Sequence, residues 1–290
     1  MFDGFIQFMA FEKRCSEHTI TAYQNDLIQF ADFFELKQLN ELNEYNSLMI
    51  RSWIVSLIDS GLTNRTVNRK IATLRTFFKW LRKEGIISAS PMAKIQGPKN
   101  EKRLPAFAKE SELESWKIAD LFTNDFEGMR DSLMFELFYQ TGIRLNELIS
   151  LKESDVNEQH VKVLGKRNKE RIIPISQELY TQIQSYRIHK QKLFDETKYL
   201  FVLKNGNKLY PTFVYRKINT YLSSATNLDK KSPHVLRHTF ATHMLNRGTG
   251  LETLKDLLGH ANLAATQVYT HNSFAQLTAI YSQAHPRGHK

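Results

Sequence analysis

The sequence predicts a mainly α protein with a small antiparallel β-sheet, divided into two domains. Three observations predict it. Apolar residues recur at helical spacing along much of the chain, as in Val67, Ile71, Leu74, Phe77, Phe78 and Leu81. Two short alternating runs, His160 to Leu164 and Arg171 to Ile175, flank the polar stretch Gly165-Lys166-Arg167-Asn168-Lys169, which is the pattern of a hairpin. Between Ser90 and Pro105 the periodicity stops, and Pro91, Gly97, Pro98 and Pro105 punctuate the chain. At 290 residues there is enough chain for a core on either side of that break. The expected layout is a helical domain over 1–90, a basic linker over 91–106 and an α+β domain over 107–290.

In the first domain Ser16 is placed to cap a helix carrying Ile20, Tyr23, Leu27, Phe30, Phe33 and Phe34. A second helix is expected from about Ser47 to Ser60, stopped by Gly61. A third begins near Asn64 and ends at Gly85. Between Arg65 and Lys83 it carries seven cations and no acid. A helix packed only on its own domain normally mixes both signs on its wet face. Arg65, Arg69, Lys70, Arg75 and Lys79 are therefore candidate DNA-backbone contacts.

In the second domain helices are expected from Lys109 to Leu121 and from Gly128 to Gln140. Gly142 ends the latter, and Arg144 opens the next helix with Glu147 behind it. Helices from Tyr180 to Phe194 and Thr212 to Leu222 read as scaffold. Another starts after Pro233, and Gly248 and Gly250 separate it from Leu251 to Leu258. Phe274, Leu277, Ile280 and Tyr281 make a stripe on a last helix, which either packs on its own domain or docks elsewhere.

Composition narrows the function. No apolar run approaches the roughly 18 residues of a membrane span. Met1-Phe2-Asp3-Gly4-Phe5 lacks the basic start of a signal peptide. The single cysteine, Cys15, excludes an internal disulfide and fits a reducing cytosol, so a cytoplasmic location is expected. The net charge of +10 points to nucleic acid as partner.

The chemistry-bearing residues are Arg144, Lys166, His234, Arg237, His260 and Tyr269. Two arginines can each fork onto two oxygens of a phosphate and stabilise a pentacoordinate phosphorus without a metal. A tyrosine can attack phosphorus and form a phosphotyrosyl ester, and a lysine can protonate the leaving oxygen. His234 and His238 lie one helical turn apart, as metal ligands do. Arg237 between them would direct a fixed positive charge at the ion, so neither a metal nor another cofactor is expected. A non-catalytic DNA-binding protein would use the same basic surface but has no need of Tyr269.

These motifs carry a resemblance. His234-x-x-Arg237, Leu258-Gly259-His260 and Tyr269 nine positions on, with Thr141-Gly142-x-Arg144-x-x-Glu147-Leu148 and Gly165-Lys166-x-Asn168-Lys169-Glu170-Arg171, resemble the signature of the tyrosine recombinase (phage integrase) family. Ser16-x-x-Thr19-x-x-x-Tyr23-x-x-Asp26-Leu27 resembles the opening of its N-terminal SAM-like core-binding domain. Within the family the chain is similar to the XerC/XerD branch, with an ending more like XerC. The resemblance implies an α+β tyrosine recombinase catalytic domain. It implies Tyr269 as nucleophile, Arg144, Arg237 and His260 on the phosphate, Lys166 as general acid and His234 in proton transfer. It also implies a double-stranded recombination site as partner and a tetramer on two such sites, formed with itself or a paralogue. A tail that docks on a neighbouring protomer, a division-linked DNA translocase as regulator, and a role in resolving chromosome or plasmid dimers complete it. A mobile-element integrase would share the chemistry, but the arm domain of large phage integrases is not expected here. A type IB topoisomerase would share the residues too. Relatives commonly have Ser and Thr where Ala264 and Ala265 stand, and glycine where Arg167 stands. Loss of the Ser cap is expected to loosen the helix that carries Tyr269.

Overall fold

The computed structural model describes residues 1–100, 106–114, 121–165, 170–259 and 271–288, with backbone alone at 271–275. The chain divides into two compact units, Met1–Arg103 and Leu104–Lys290.

The first unit is helical: α1 (Asp3–Gln7), α2 (Glu17–Phe33), α3 (Ser47–Asp59) and α4 (Asn64–Lys83). Its longer helices start where a side-chain oxygen takes up free backbone N–H groups. Ser16 accepts from Thr19 N, Asn46 from Leu48 N and Met49 N, and Thr63 from Thr66 N. The core is aromatic. Phe30 meets Trp53 edge-on at 5.2 Å between ring centroids, and Phe5 meets Phe77 at 5.1 Å. α1 and the π-helical turn Phe8–Glu12 that follows it are too short for periodicity to reveal.

The proline-rich stretch expected to be a basic linker begins inside this unit. Pro91 and Met92 are buried in a 3₁₀ turn, Pro91–Lys94, and Ile95 is buried beside them. The chain then runs along α4. Arg75 Nη2 donates to Ile95 O (2.6 Å), Asn68 Nδ2 to Pro98 O (2.7 Å), and Asn64 Nδ2 to Lys99 O (2.9 Å).

The second unit holds α5 (Glu110–Glu114), α6 (Phe126–Thr141), α7 (Leu145–Ser150), β1 (His160–Leu164), β2 (Glu170–Pro174), α8 (Gln177–Gln191), α9 (Pro211–Ala225), α10 (Pro233–Asn246), α11 (Leu251–Leu258) and α12 (His271–Ala284). α6 is buried on nearly every side, its charged Arg130, Asp131 and Glu136 included, and is packed by α8 and α10. β1 and β2 pair antiparallel, with Leu164 opposite Glu170 and Val163 opposite Arg171. β2 thus starts one residue before the alternation suggested. α8 starts three residues earlier than its apolar stripe, because Ser176 Oγ accepts from Leu179 N and caps it.

α12 packs on its own unit, against α10 and β2. Leu277, Tyr281, Ala284, His285 and Arg287 are all buried there. Tyr281 stacks on His285 (5.1 Å, 8° between planes), and Arg287 pairs with Glu136 of α6. Of the apolar stripe read for this tail, Leu277 and Tyr281 are covered by the unit's own core, and the Phe274 side chain lies outside the described residues. Among the described residues no helix is long and apolar enough to cross a membrane.

Candidate active site

Of the expected site residues, Arg144, His234 and Arg237 are described. Lys166, His260 and Tyr269 lie outside the described residues, as do Arg167, Ala264 and Ala265. The second unit brings Arg144 and Arg237, far apart in sequence, to one place: the C-terminal end of α11.

Gly142 makes this possible. It ends α6 in the left-handed region (φ +58°), and a Cβ there would stand 2.6 Å from Phe240 and 2.9 Å from Leu258. The turn delivers Arg144 in extended conformation to the start of α7. Glu147, one turn on, accepts from Arg144 N (2.8 Å) and from Arg144 Nη1 (2.8 Å). Glu147 therefore orients Arg144.

Arg237 is half-buried on α10. Its Nη1 donates to Gly142 O (2.5 Å) and its Nη2 to Leu258 O (2.7 Å). Arg144 Nη2 donates to Gly259 O (2.9 Å). A third arginine joins them. Arg171 of β2, 4% exposed, donates through Nε to Leu257 O (2.8 Å) and forks onto both oxygens of Glu147 (2.8 Å each). Leu257, Leu258 and Gly259 thus give one carbonyl each to Arg171, Arg237 and Arg144. Helix C-termini leave such carbonyls unpaired and carry partial negative charge, so cations belong there. Gly259 then turns the chain in the left-handed region (φ +64°) just before His260.

The electrostatics favour an anion. Three guanidinium groups face a single carboxylate in this cluster. Burial alone would raise the Glu147 carboxyl, but the fork from Arg171 and then the bonds from Arg144 hold it down to about 2. Burial, then the nearby charges of Arg144 and Arg171, pull Arg237 down to about 9, still protonated at neutral pH. His234 sits exposed one turn before Arg237 on α10.

His243 belongs to the interior rather than to a metal. Its ring bonds Tyr139 Oη (3.0 Å) and Ala108 O (3.0 Å), and burial lowers its pKa. His238 packs edge-on to Phe107 at 6.4 Å.

On α4 of the first unit, Arg65, Arg69, Arg75 and Lys79 lie on the exposed side. Lys70 does not, and the expectation that it meets DNA is corrected. It is 7% exposed, and its Nζ donates to Asp26 Oδ1 of α2 (2.8 Å). Asp26 is buried and also takes Arg69 and Thr73 Oγ1. A charge run along a helix does not reveal which of its cations turns inward to meet an acid on another helix.

Arg171 stands in the sequence motif with no task assigned to it. A signal was present: Arg171 alternates with Ile173 and Ile175, which puts it on the apolar face of its strand.

Comparison with known proteins gives the family. The phage integrase family matches residues 111–276, and the phage integrase N-terminal SAM-like domain matches residues 2–85. Tyrosine recombinase XerC of Staphylococcus epidermidis is 39% identical over 292 residues, covering 99% of this chain and 98% of its own. Tyrosine recombinase XerC of Chlorobaculum parvum is 33% identical over 316 residues, covering 98% and 94%. The fold is shared with XerH site-specific recombinase bound to a palindromic difH substrate (TM-score 0.73, 22% identity, 94% of this chain and 78% of that one). It is also shared with a lambda integrase dimer bound to a COC′ core site (TM-score 0.68, 18% identity, 95% and 93%). The chain belongs to the phage integrase family of tyrosine recombinases.

Proposed function

We propose that this protein is a site-specific DNA recombinase that breaks and rejoins strands through a tyrosine ester. Tyr269 attacks the scissile phosphorus, the phosphorus–oxygen bond to the 5′ side breaks, and a 3′-phosphotyrosyl link and a 5′-hydroxyl result. Lys166 gives the leaving oxygen its proton. Arg144, Arg237 and His260 hold the phosphate, and His234 assists proton transfer. The ester retains the energy of the broken bond, so a 5′-hydroxyl from a partner strand can reverse the step without ATP. Two such exchanges pass through a Holliday junction.

One observation supports this reading above others. Arg144 and Arg237 are both anchored on the last turn of α11, immediately before His260. Fixed guanidinium groups at one point suit the charge that grows on phosphorus in the transition state, because they need no rearrangement as it forms.

The layout follows from the same reading. Residues 1–90 bind core DNA, with Arg65, Arg69, Arg75 and Lys79 on the backbone. Residues 91–106 connect, and 107–290 carry the chemistry. Four protomers act on two double-stranded sites in the cytoplasm, each tail leaving its own unit to seat on a neighbour. The task is resolution of chromosome or plasmid dimers, under a division-linked translocase.

Covalent capture tests the proposal. The protein is incubated with nicked fragments of its host chromosome in host extract, denatured in detergent, and the attached DNA is sequenced. Capture at one site near the terminus of replication, lost in Tyr269→Phe, is the expected result. Sites flanking a mobile element would replace dimer resolution with integration. Undiminished capture by Tyr269→Phe would overturn the chemistry.

A further inference from the structure

Arg171 is committed inward. Its Nε and both Nη atoms bind Leu257 O and Glu147, so no edge of its planar fork faces solvent. Arg144 shares the same carboxylate yet is a third exposed (34%). The two arginines therefore divide the work at Glu147, one bracing from behind and the other facing outward.

The contacts close a ring. It runs from Arg171 to Glu147, from Glu147 to Arg144, from Arg144 to Gly259 O, and along the backbone to Leu257 O and Arg171. Glu147 cannot rotate to follow Arg144 without breaking the two parallel bonds from Arg171. The chain also crosses Arg171 closely: a Cβ at Gly259 would lie 3.1 Å from Arg171 Cδ. Arg171 stands opposite Val163, so its strand is one of the two that lie on either side of Lys166 in the sequence.

We propose that Arg171 is a positioning residue for the phosphate clamp. It fixes the direction of Arg144 through the shared Glu147 carboxylate and, with the same side chain, fixes the last turn of α11 ahead of His260. Lysine cannot replace it, because a compact ammonium lacks the planar fork that meets both Glu147 oxygens in parallel while Nε reaches Leu257 O. This role rests on the phosphotyrosyl reading above.

The test compares Arg171→Lys, Arg144→Lys and the double variant on a duplex containing the captured site. Arg171→Lys lowers the single-turnover cleavage rate about tenfold or more, while DNA affinity stays within about twofold. In the Arg144→Lys background the same change costs less than about twofold, because both act through one guanidinium. A merely structural residue would reduce binding and melting temperature together and would multiply fully with Arg144→Lys; either outcome overturns the proposal. Arg171→Gln, which keeps a donor for Leu257 O but lacks the fork, serves if Arg171→Lys fails to fold. Hydrogen exchange of the chain alone separates the two readings. The last turn of α11 exchanges about tenfold faster in Arg171→Lys, and unchanged protection sinks the ring. If the wild type forms no adduct, the phosphotyrosyl reading fails, and exchange decides the coupling by itself.

Discussion

Arg237 donates to the Leu258 carbonyl across 2.7 Å, tying the N-terminal half of α10 to the final turn of α11. The same guanidinium reaches Gly142 O at the end of α6. It is therefore at once a proposed phosphate ligand and the joint between three helices. Arg237→Ala leaves both carbonyls without this donor, at about 1–3 kcal/mol in stability. Cleavage is expected to fall by about 100-fold or more, since one preorganised donor is lost. Denaturant unfolding and single-turnover cleavage measure the two effects separately. Arg237→Lys retains the charge and is expected to lose most of the rate nonetheless.

Gly142 has no room to vary. Alanine there would hold a Cβ in the left-handed region and drive it against Phe240 and Leu258. Gly142→Ala is expected to cost about 1–3 kcal/mol by overpacking and strain. Gly248 is also left-handed (φ +88°), but no atom lies within 4 Å of its would-be Cβ. Gly248→Ala serves as the control, with the smaller loss in urea melts.

Asp26 and Lys70 predict an asymmetry. Asp26→Ala leaves Lys70 buried without its carboxylate and is expected to cost about 3–5 kcal/mol, whereas Lys70→Met removes the charge and costs far less. The DNA consequence is equally specific. Arg65→Ala and Lys79→Ala each flatten the salt dependence of DNA binding by roughly one unit of slope, and Lys70→Met leaves it unchanged. A reduced slope in Lys70→Met would return that residue to the DNA face.

His285 makes the docked tail sensitive to acid. Its Nε2 donates to Tyr139 O (3.3 Å) while its Nδ1 accepts from Arg287 N (3.1 Å), so only the neutral ring fits. Burial, with smaller contributions from His243 and Arg247, lowers its pKa to about 3, although its bond to Tyr139 O opposes this. A histidine lowered in the folded state supports docking above its free value of 6.5 and weakens it as pH falls from there towards 3. Each pH unit in that window costs about 1.4 kcal/mol. Hydrogen exchange or limited proteolysis of residues 276–288 at pH 7.5 and 5.5 reads the loss, and His285→Phe removes the dependence. Glu147 behaves with the opposite partner chemistry: its low pKa preserves the arginine ring until pH falls from 4.5 towards 2.

Much of this was legible in the sequence because local rules decided it. Ser16, Asn46 and Thr63 announce their helices, Gly142 announces a break, and Gly165 to Lys169 announces a hairpin. Arg144 and Arg237 were legible through motif spacing, and Glu147 through its place one turn after Arg144. What escaped depends on contacts between distant segments. Lys70 turns inward because Asp26 waits on α2. Pro91 to Lys99 looks like linker by composition, yet Asn64, Asn68 and Arg75 hold its carbonyls against α4. Arg171 reads only as the first residue of a strand until Leu257 and Glu147 are brought beside it. The tail stripe of Leu277 and Tyr281 is apolar whichever protomer covers it, and only packing reveals that it is filled here by its own unit.

The most direct measurement is the site of covalent attachment. A nicked duplex carrying the captured site traps the cleaved state, and protease digestion with mass spectrometry locates the bound nucleotide. The expected result is a 3′-phosphate esterified to Tyr269, a free 5′-hydroxyl on the released strand, and no adduct in Tyr269→Phe. An ester on another residue, or attachment through a 5′-phosphate, would contradict the proposed mechanism at its first step.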